Sequence, residues 1–279
     1  SDDLSTFDSA DIAALQSRSL AGLTTGAFSS LTSSQLVAFT SAQIAALSTA
    51  VIGSLQSTQL NALTTSQIAT LSSSQIAALS STALALLDTA QIRAISTRGI
   101  AALTSQQISA LNTATFDALT STQLGALSSS AIRALTTGAI GTLTSSEIAT
   151  LPSRVIAALS SSGIAALTSD QISNLTAAQV AALTSGQIDV LTSTQIDALS
   201  TVAVAGLTSA QVRSLTPEQF GSLSSEQMQS LSTRALADLG STLWSAVGSA
   251  EFAALSTSQL AALGSAPLAS TQLDTLTSS

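Results

Sequence analysis

The chain has 279 residues and a formal net charge of −8, and only 8% of its residues are charged, against roughly 25% in typical soluble domains. It contains no Lys, His, Cys or Tyr. These absences exclude disulfides, thiol nucleophiles, Ser-His-Asp triads and the usual zinc and haem ligands. Seven arginines without lysine do not make a phosphate-binding surface. We therefore expect no enzyme activity, no cofactor, no small-molecule substrate and no nucleic-acid partner.

The first residues, Ser1-Asp2-Asp3, are acidic and do not resemble a signal peptide. With Asp8 and Asp11 they place four carboxylates close together in the sequence, and calcium takes oxygen ligands. Asp2, Asp3, Asp8 and Asp11 are therefore the candidate metal ligands. No Asp-x-Asp-x-Asp-Gly loop accompanies them, so a favourable charge at the first helix N-termini is the simpler interpretation.

A period of eight residues runs along the chain. When position 8 is assigned to residues divisible by eight, position 4 extends from Leu4 to Leu268 and is apolar at all 34 occurrences. Position 7 extends from Phe7 to Leu263 and is apolar at all 33. The phase is unbroken until a shortened repeat follows Leu268. The pattern predicts a continuous array of octads over residues 1–268, and a shortened final repeat with a C-terminal tail over residues 269–279.

Each octad carries the start signals of a helix. In Thr40-Ser41-Ala42-Gln43, the Thr40 hydroxyl can accept the Gln43 N–H while the Gln43 side chain accepts the Thr40 N–H, which is a capping box. The predicted capping residues include Thr40, Gln43, Thr64, Gln67, Thr216 and Gln219. Pro217 suits the first helical position, whereas Pro152 replaces a cap hydroxyl and predicts a local adjustment. One short helix per octad follows.

Positions 4 and 7 lie about 60° apart on a helix and form one apolar stripe. The predicted core includes Ile44, Leu47, Ile68, Leu71, Ile76, Leu79, Ile172 and Leu175. Small residues at position 6 suggest close contact with an adjacent coil, and positions 2 and 5, which hold all seven arginines, mark the solvent face.

A helix this short is not stable alone. We therefore expect an all-α fold, an α-solenoid of very short capped helices with one helix per octad, in a rod-like superhelix of two or three octads per turn. A β-solenoid is the alternative, but strand faces need even apolar spacing, and here the spacing alternates between three and five.

The octads, for example Thr64-Thr65-Ser66-Gln67-Ile68-Ala69-Thr70-Leu71, resemble the Ser/Thr-x-x-Gln-Ile-Ala-Ala-Leu tandem repeats of long secreted or surface proteins of Gram-negative bacteria. The resemblance implies an extracellular or cell-surface location and carries over no catalytic residue. No apolar run is long enough for a membrane span.

Apolar positions continue from Leu4 to Leu276, and uncapped solenoid ends can stack. We therefore expect a self-assembling filament subunit whose partners are copies of itself, joined head to tail and possibly laterally. Three alternatives stay open: a monomeric rigid spacer or stalk of a surface adhesin, an ice-binding protein, and a partner-binding repeat scaffold.

Overall fold

The computed structural model describes Leu4, residues 6–237 and residues 239–263. Across these residues the chain forms 32 α-helices and no strand, with one helix after each position 8. This confirms the predicted solenoid of short helices and rules out the β-solenoid for the described part of the chain. The chain divides into two compact units at Thr142 and Leu143, and the octad period runs through both.

The helices are α1 Ser9–Ala14, α2 Ser17–Leu20, α3 Thr25–Ser29, α4 Ser33–Ala38, α5 Ser41–Ala46, α6 Thr49–Gly53, α7 Ser57–Ala62, α8 Thr65–Ala69, α9 Ser73–Ala78, α10 Ser81–Leu84, α11 Thr89–Ala94, α12 Thr97–Ala101, α13 Ser105–Ala110, α14 Thr113–Asp117, α15 Ser121–Ala126, α16 Ser129–Arg133, α17 Thr137–Thr142, α18 Ser145–Thr150, α19 Ser153–Ala158, α20 Ser161–Ala165, α21 Ser169–Ser173, α22 Ala177–Ala182, α23 Ser185–Asp189, α24 Ser193–Asp197, α25 Thr201–Ala205, α26 Ser209–Ser214, α27 Pro217–Gly221, α28 Ser225–Ser230, α29 Thr233–Leu236, α30 Ser241–Trp244, α31 Ser249–Ala253 and α32 Thr257–Ala262.

Helix ends follow from residues within the octad. At α5, Thr40 is extended and its hydroxyl accepts the Gln43 N–H at 3.3 Å. At the other end, Leu47 is also extended, with φ −67° and ψ 146°, and its N–H donates to the Ile44 carbonyl at 3.2 Å. The extended residue at position 7 takes the chain out of one helix and directly into the cap of the next, so no separate loop is needed.

Of the three prolines in the sequence, Pro152 and Pro217 lie in described residues, and they affect the caps differently. Pro217 is the first residue of α27, where the Thr216 cap is intact. Pro152 precedes α19, which has no side-chain hydrogen bond at its N-cap. The adjustment expected at Pro152 is therefore the loss of the cap bond, with the helix still beginning at Ser153.

Positions 4 and 7 form the core. Position 4 is buried from Leu4 to Phe252, and position 7 is buried from Leu31 to Leu263. The eight residues chosen from the sequence, Ile44, Leu47, Ile68, Leu71, Ile76, Leu79, Ile172 and Leu175, are 0–4% exposed. Each octad therefore contributes two large buried side chains, and each such side chain stabilises the fold by roughly 1.5–3 kcal/mol.

Within each unit the helices coil so that a helix packs against the helices three before and three after it. Within the first unit α9 contacts α6 and α12, and within the second unit α25 contacts α22 and α28. Glutamine side chains, described below, reach octads four positions earlier. An octad therefore contacts octads that lie three places and four places away along the sequence, so one turn of the coil takes between three and four octads. Two octads per turn, one of the predicted alternatives, is therefore wrong.

Close approach between coils explains the small residues at position 6. A Cβ at Gly206 would lie 2.5 Å from the Ala177 carbonyl oxygen, too near for any larger side chain without movement. Position 5 was expected to lie on the solvent face, but it too can lie close to the next turn of the coil. A Cβ at Gly221, a position-5 residue, would lie 2.5 Å from the Ala246 carbonyl oxygen. The arginines at positions 2 and 5 are all exposed, as expected for a solvent face.

Trp244, a large residue at position 4, belongs to the core. Trp244 is 0% exposed and makes edge-on ring contacts with Phe220, at 5.6 Å and 88°, and with Phe252, at 6.2 Å and 89°. Phe220 lies three octads earlier and Phe252 one octad later, so the aromatic contacts follow the coil. Aromatic pairs of this geometry add about 0.5–1.5 kcal/mol beyond burial.

A matched pair of substitutions in α25 tests the assignment of core and surface. Val204 at position 4 is 0% exposed, and Val202 at position 2 is 65% exposed. We expect Val204→Ala to lower the free energy of unfolding by about 2 kcal/mol. Val202→Ala should change it by less than about 0.5 kcal/mol. Denaturant unfolding measures both, and equal losses in the two variants would contradict the assignment.

Candidate functional site

Glutamine at position 3 is the most unusual feature of the core. Sixteen octads from Gln35 to Gln259 carry it, and every one of these side chains is between 1% and 8% exposed. Other glutamines in the described chain, Gln16, Gln56, Gln106 and Gln229, are exposed. A buried primary amide is unfavourable unless its hydrogen-bonding groups are satisfied, so the partners of these sixteen side chains explain why glutamine is used.

The oxygen of each amide caps its own helix. In all sixteen octads the Oε1 atom accepts the N-cap N–H at 2.6–3.1 Å. The reciprocal bonds place Thr40 with Gln43, Thr64 with Gln67, and Thr216 with Gln219 in complete capping boxes. The structure thus brings together the three residue pairs chosen from the sequence.

The nitrogen of the same amide binds a different turn of the coil. In all sixteen octads Nε2 donates to the position-7 carbonyl of the octad four earlier, at 2.6–3.2 Å. Gln43, for example, donates to the Leu15 carbonyl at 2.7 Å and to the Ile12 carbonyl at 2.8 Å. We call this contact the glutamine bridge. It gives partners to carbonyls at a helix C-terminus, where intrahelical partners are missing.

Glutamate keeps the cap but not the bridge. The Glu147 carboxylate accepts the Thr144 N–H at 2.8 Å, so the capping box of α18 is complete. A carboxylate has no N–H to donate to a carbonyl, and Glu147 is only half-buried, unlike every position-3 glutamine. The sequence treats Glu and Gln as equivalent in a capping box, but the bridge distinguishes them.

The octad of α14 has no position-3 glutamine and bonds to the earlier turn through Asn112 and Thr115. At α14 the Asn112 Nδ2 atom donates to the Ala85 carbonyl at 3.0 Å, and the Thr115 hydroxyl donates to the same carbonyl at 3.2 Å. Asn112 also caps the helix by accepting the Thr115 N–H at 2.9 Å. The position-8 residue here caps the helix and also donates to the earlier turn together with the position-3 residue, which shows that a bond to the earlier turn can be made in more than one way.

Serines at position 1 make a second, exposed set of cross-turn bonds. Ser41, Ser73, Ser105 and Ser209 each donate to a position-2 carbonyl three octads later, at 2.8–3.3 Å. Water competes for exposed hydrogen bonds, so these contribute less than the buried bridges. They align neighbouring turns at the surface.

Two of the four candidate metal ligands, Asp8 and Asp11, cap a helix N-terminus. Asp8 accepts the N–H groups of Ala10 and Asp11 at 2.8 Å, and Asp11 accepts the Asp8 N–H at 3.1 Å, which completes a capping box for α1. Asp2 and Asp3 lie outside the described residues. In the part of the chain that the structure describes, no group of three or more acidic side chains is placed to hold a metal ion.

No described helix is long and apolar enough to cross a membrane.

Adjacent glutamines allow a direct test of the bridge. Gln107 is 2% exposed and donates to the Ile76 and Leu79 carbonyls, both at 2.9 Å, whereas Gln106 is exposed. At neutral pH Gln107→Glu should lower the free energy of unfolding by about 1–3 kcal/mol, because a carboxylate faces carbonyl oxygens without a proton to donate. Gln106→Glu should have little effect.

The pH dependence of the free energy of unfolding in Gln107→Glu and Gln106→Glu separates the contribution of the glutamine bridge from that of the helix cap. Burial raises the folded-state pKa of the carboxyl that Gln107→Glu introduces, and a protonated carboxyl can donate to a carbonyl. The free energy of unfolding that Gln107→Glu loses relative to Gln106→Glu should therefore be smallest below the pKa that the introduced glutamate has in the unfolded chain. This loss should grow as the pH rises through the higher pKa that the glutamate has in the folded chain. Denaturant unfolding between about pH 4 and pH 8 measures this; a deficit that does not vary with pH would contradict the bridge.

Comparison with known sequences agrees with this repeat organisation. Residues 12–49, 36–73, 76–113, 84–121, 116–153, 196–225 and 204–233 match the ALTTAQ repeat. Comparison with curated proteins found no match to the chain. The matched segments occur in tandem and together cover more than half of the sequence. The chain therefore belongs to the ALTTAQ repeat family, as the predicted tandem-repeat region implied.

Proposed function

We propose that this chain is a structural spacer without enzymatic activity, in which the number of octads sets the distance spanned. The observation that carries the proposal is the repetition of one interface. Within each unit, helices pack on helices three octads away, and the sixteen glutamine octads join octads four places apart through positions 3 and 7 each time. Each added octad therefore extends the coil by the same step, which is the property that a spacer needs.

The absence of catalytic side-chain types supports a structural role. Acid–base and nucleophilic catalysis usually depend on His, Cys, Lys, Tyr or paired carboxylates, and the first four are absent from the sequence. Several carboxylates serve instead as helix caps, as Asp8, Asp88 and Glu147 do. The groups that could carry chemistry are therefore used for folding.

We also propose an extracellular or cell-surface location. The chain has no lysine and only seven arginines, which leaves few sites for trypsin-like proteases. Exposed positions carry mainly Ser, Thr and Ala. This proposal rests on composition and on the resemblance of the octads to repeats of secreted and surface proteins.

The head-to-tail filament, in which copies of the chain stack on one another, stays a prediction beside the spacer.

Spin-label distances within the first unit test the uniform step. Because the sequence contains no cysteine, cysteines introduced at Ser34, Thr82, Gln106 and Ser130 can be labelled specifically. All four are exposed and lie at position 2. The distance from residue 34 should grow linearly along this series, by about 10 Å for each three octads. Pulsed electron paramagnetic resonance gives these distances, and a distance that levels off would contradict the spacer.

Sedimentation velocity over a wide concentration range separates spacer from filament. The spacer predicts a single species with the mass of one chain, 27.7 kDa, at all concentrations. A series of larger species that grows with concentration would instead support the filament.

A further inference from the structure

The octad pattern is broken by four unusual residues at one place in the first unit. Within residues 1–268, Leu86 is the one leucine at position 6, and Thr115 is the one threonine at position 3. Asn112 is the one asparagine at position 8, and Asp88 shares an acidic position 8 only with Asp8. Leu86, Asp88, Asn112 and Thr115 lie on neighbouring turns of the coil, and all four line one cleft.

This cleft has a volume of about 300 Å³. Residues 85–89 line it on one turn, and Asn112, Ala114 and Thr115 line it on the next. Leu86 is 52% exposed, whereas Thr115 is 5% exposed. The cleft therefore runs from an open rim to a buried floor.

The floor of the cleft lies where a glutamine bridge would form. In the sixteen glutamine octads the position-3 amide reaches the position-7 carbonyl four octads earlier, and the carbonyl in that place for Thr115 belongs to Leu87. The shorter Thr115 side chain donates to the Ala85 carbonyl instead. Among the described residues no hydrogen bond reaches the Leu87 carbonyl. The acceptor that takes an amide nitrogen in other octads is thus available at this cleft.

A carboxylate and an apolar side chain stand beside this carbonyl. Oδ1 of Asp88 accepts the Gln91 N–H at 2.8 Å, and in the described part of the chain no hydrogen bond or ion pair engages Oδ2. Leu86 adds an exposed apolar surface at the rim. The cleft therefore offers two kinds of oxygen acceptor, one of them charged, in a chain of net charge −8.

We propose that this cleft binds an arginine side chain of a partner protein. A guanidinium group holds five N–H donors in one plane and keeps its charge. One N–H takes the place of the missing glutamine nitrogen and donates to the Leu87 carbonyl, and another donates to the Asp88 carboxylate. The methylene groups of the arginine lie along Leu86.

The size of the cleft favours a single side chain as its occupant. Its volume is at the lower end of the range for small-molecule sites, which enclose most of their ligand, and its rim is open. The cleft lies within one unit of one chain, so the proposal goes beyond the spacer and does not depend on it. It gives the repeat array one attachment point at a fixed octad.

Titration of the full chain with the peptide acetyl-Ala-Arg-Ala-amide, followed by saturation-transfer nuclear magnetic resonance, tests the proposal. A matched peptide with citrulline, whose neutral urea replaces the guanidinium, should bind roughly threefold to fivefold more weakly because it lacks the charge that pairs with Asp88. A lysine peptide should also bind more weakly, since an ammonium group lacks the planar set of donors. Equal binding of the three peptides would overturn the proposal.

A matched pair of glutamine substitutions locates the binding. Thr115→Gln should fill the cleft with the amide that sixteen other octads carry, and binding of the arginine peptide should be lost. Thr113→Gln adds the same side chain at an exposed residue that does not line the cleft, and should leave binding unchanged. Binding that survives Thr115→Gln would overturn the proposal.

A second pair keeps the test decisive if Thr115→Gln does not fold. Asp88→Asn removes the charge but keeps a helix cap, since asparagine caps α14 at Asn112. It should weaken binding of the arginine peptide roughly threefold to fivefold and leave binding of the citrulline peptide nearly unchanged. Asp117→Asn removes an exposed carboxylate outside the cleft and should affect neither peptide. Equal weakening by the two substitutions would show attraction by net charge alone and would overturn the site.

Discussion

The structure depends on how a helix of four to six residues satisfies its backbone polar groups. The first four N–H and the last four C=O groups of any helix lack intrahelical partners, and in helices this short these are nearly all of the groups. The position-3 glutamine addresses both ends at once. Its oxygen caps its own helix and its nitrogen binds the C-terminal carbonyls of a helix four octads earlier, as Gln43 does with Thr40 and Leu15. Because one short side chain makes both contacts, the octad cannot change length without breaking one of them.

This requirement also accounts for the composition. At neutral pH a glutamine amide accepts at one end and donates at the other without carrying a charge, and Glu147 shows that a carboxylate fulfils only half of the role. The cap needs Ser, Thr, Asp or Asn, and the core needs Ile and Leu. Only positions 2 and 5 tolerate arginine. A chain built this way has little charge and few reactive groups, and it extends by repetition, as the proposed spacer would.

Helix starts and core residues could be predicted because they depend on spacing within one octad. Thr40, Gln43, Ile44 and Leu47 lie within eight residues. The glutamine bridge and the number of octads per turn could not be predicted from the sequence, because they depend on which octads become neighbours in space. The packing angles between helices determine which octads become neighbours. The cross-turn bonds of Asn112 and Thr115 to the Ala85 carbonyl leave no periodic signal at all.

The most direct test of this account is hydrogen exchange of the glutamine side-chain amides, followed by nuclear magnetic resonance. The account predicts two classes. The sixteen buried position-3 amides should exchange slowly, since exchange requires a turn to separate from the next. The amides of the exposed Gln16, Gln56, Gln106 and Gln229 should exchange at the rate of free glutamine. If all glutamine amides exchanged equally fast, the glutamine bridge would not be what joins the turns.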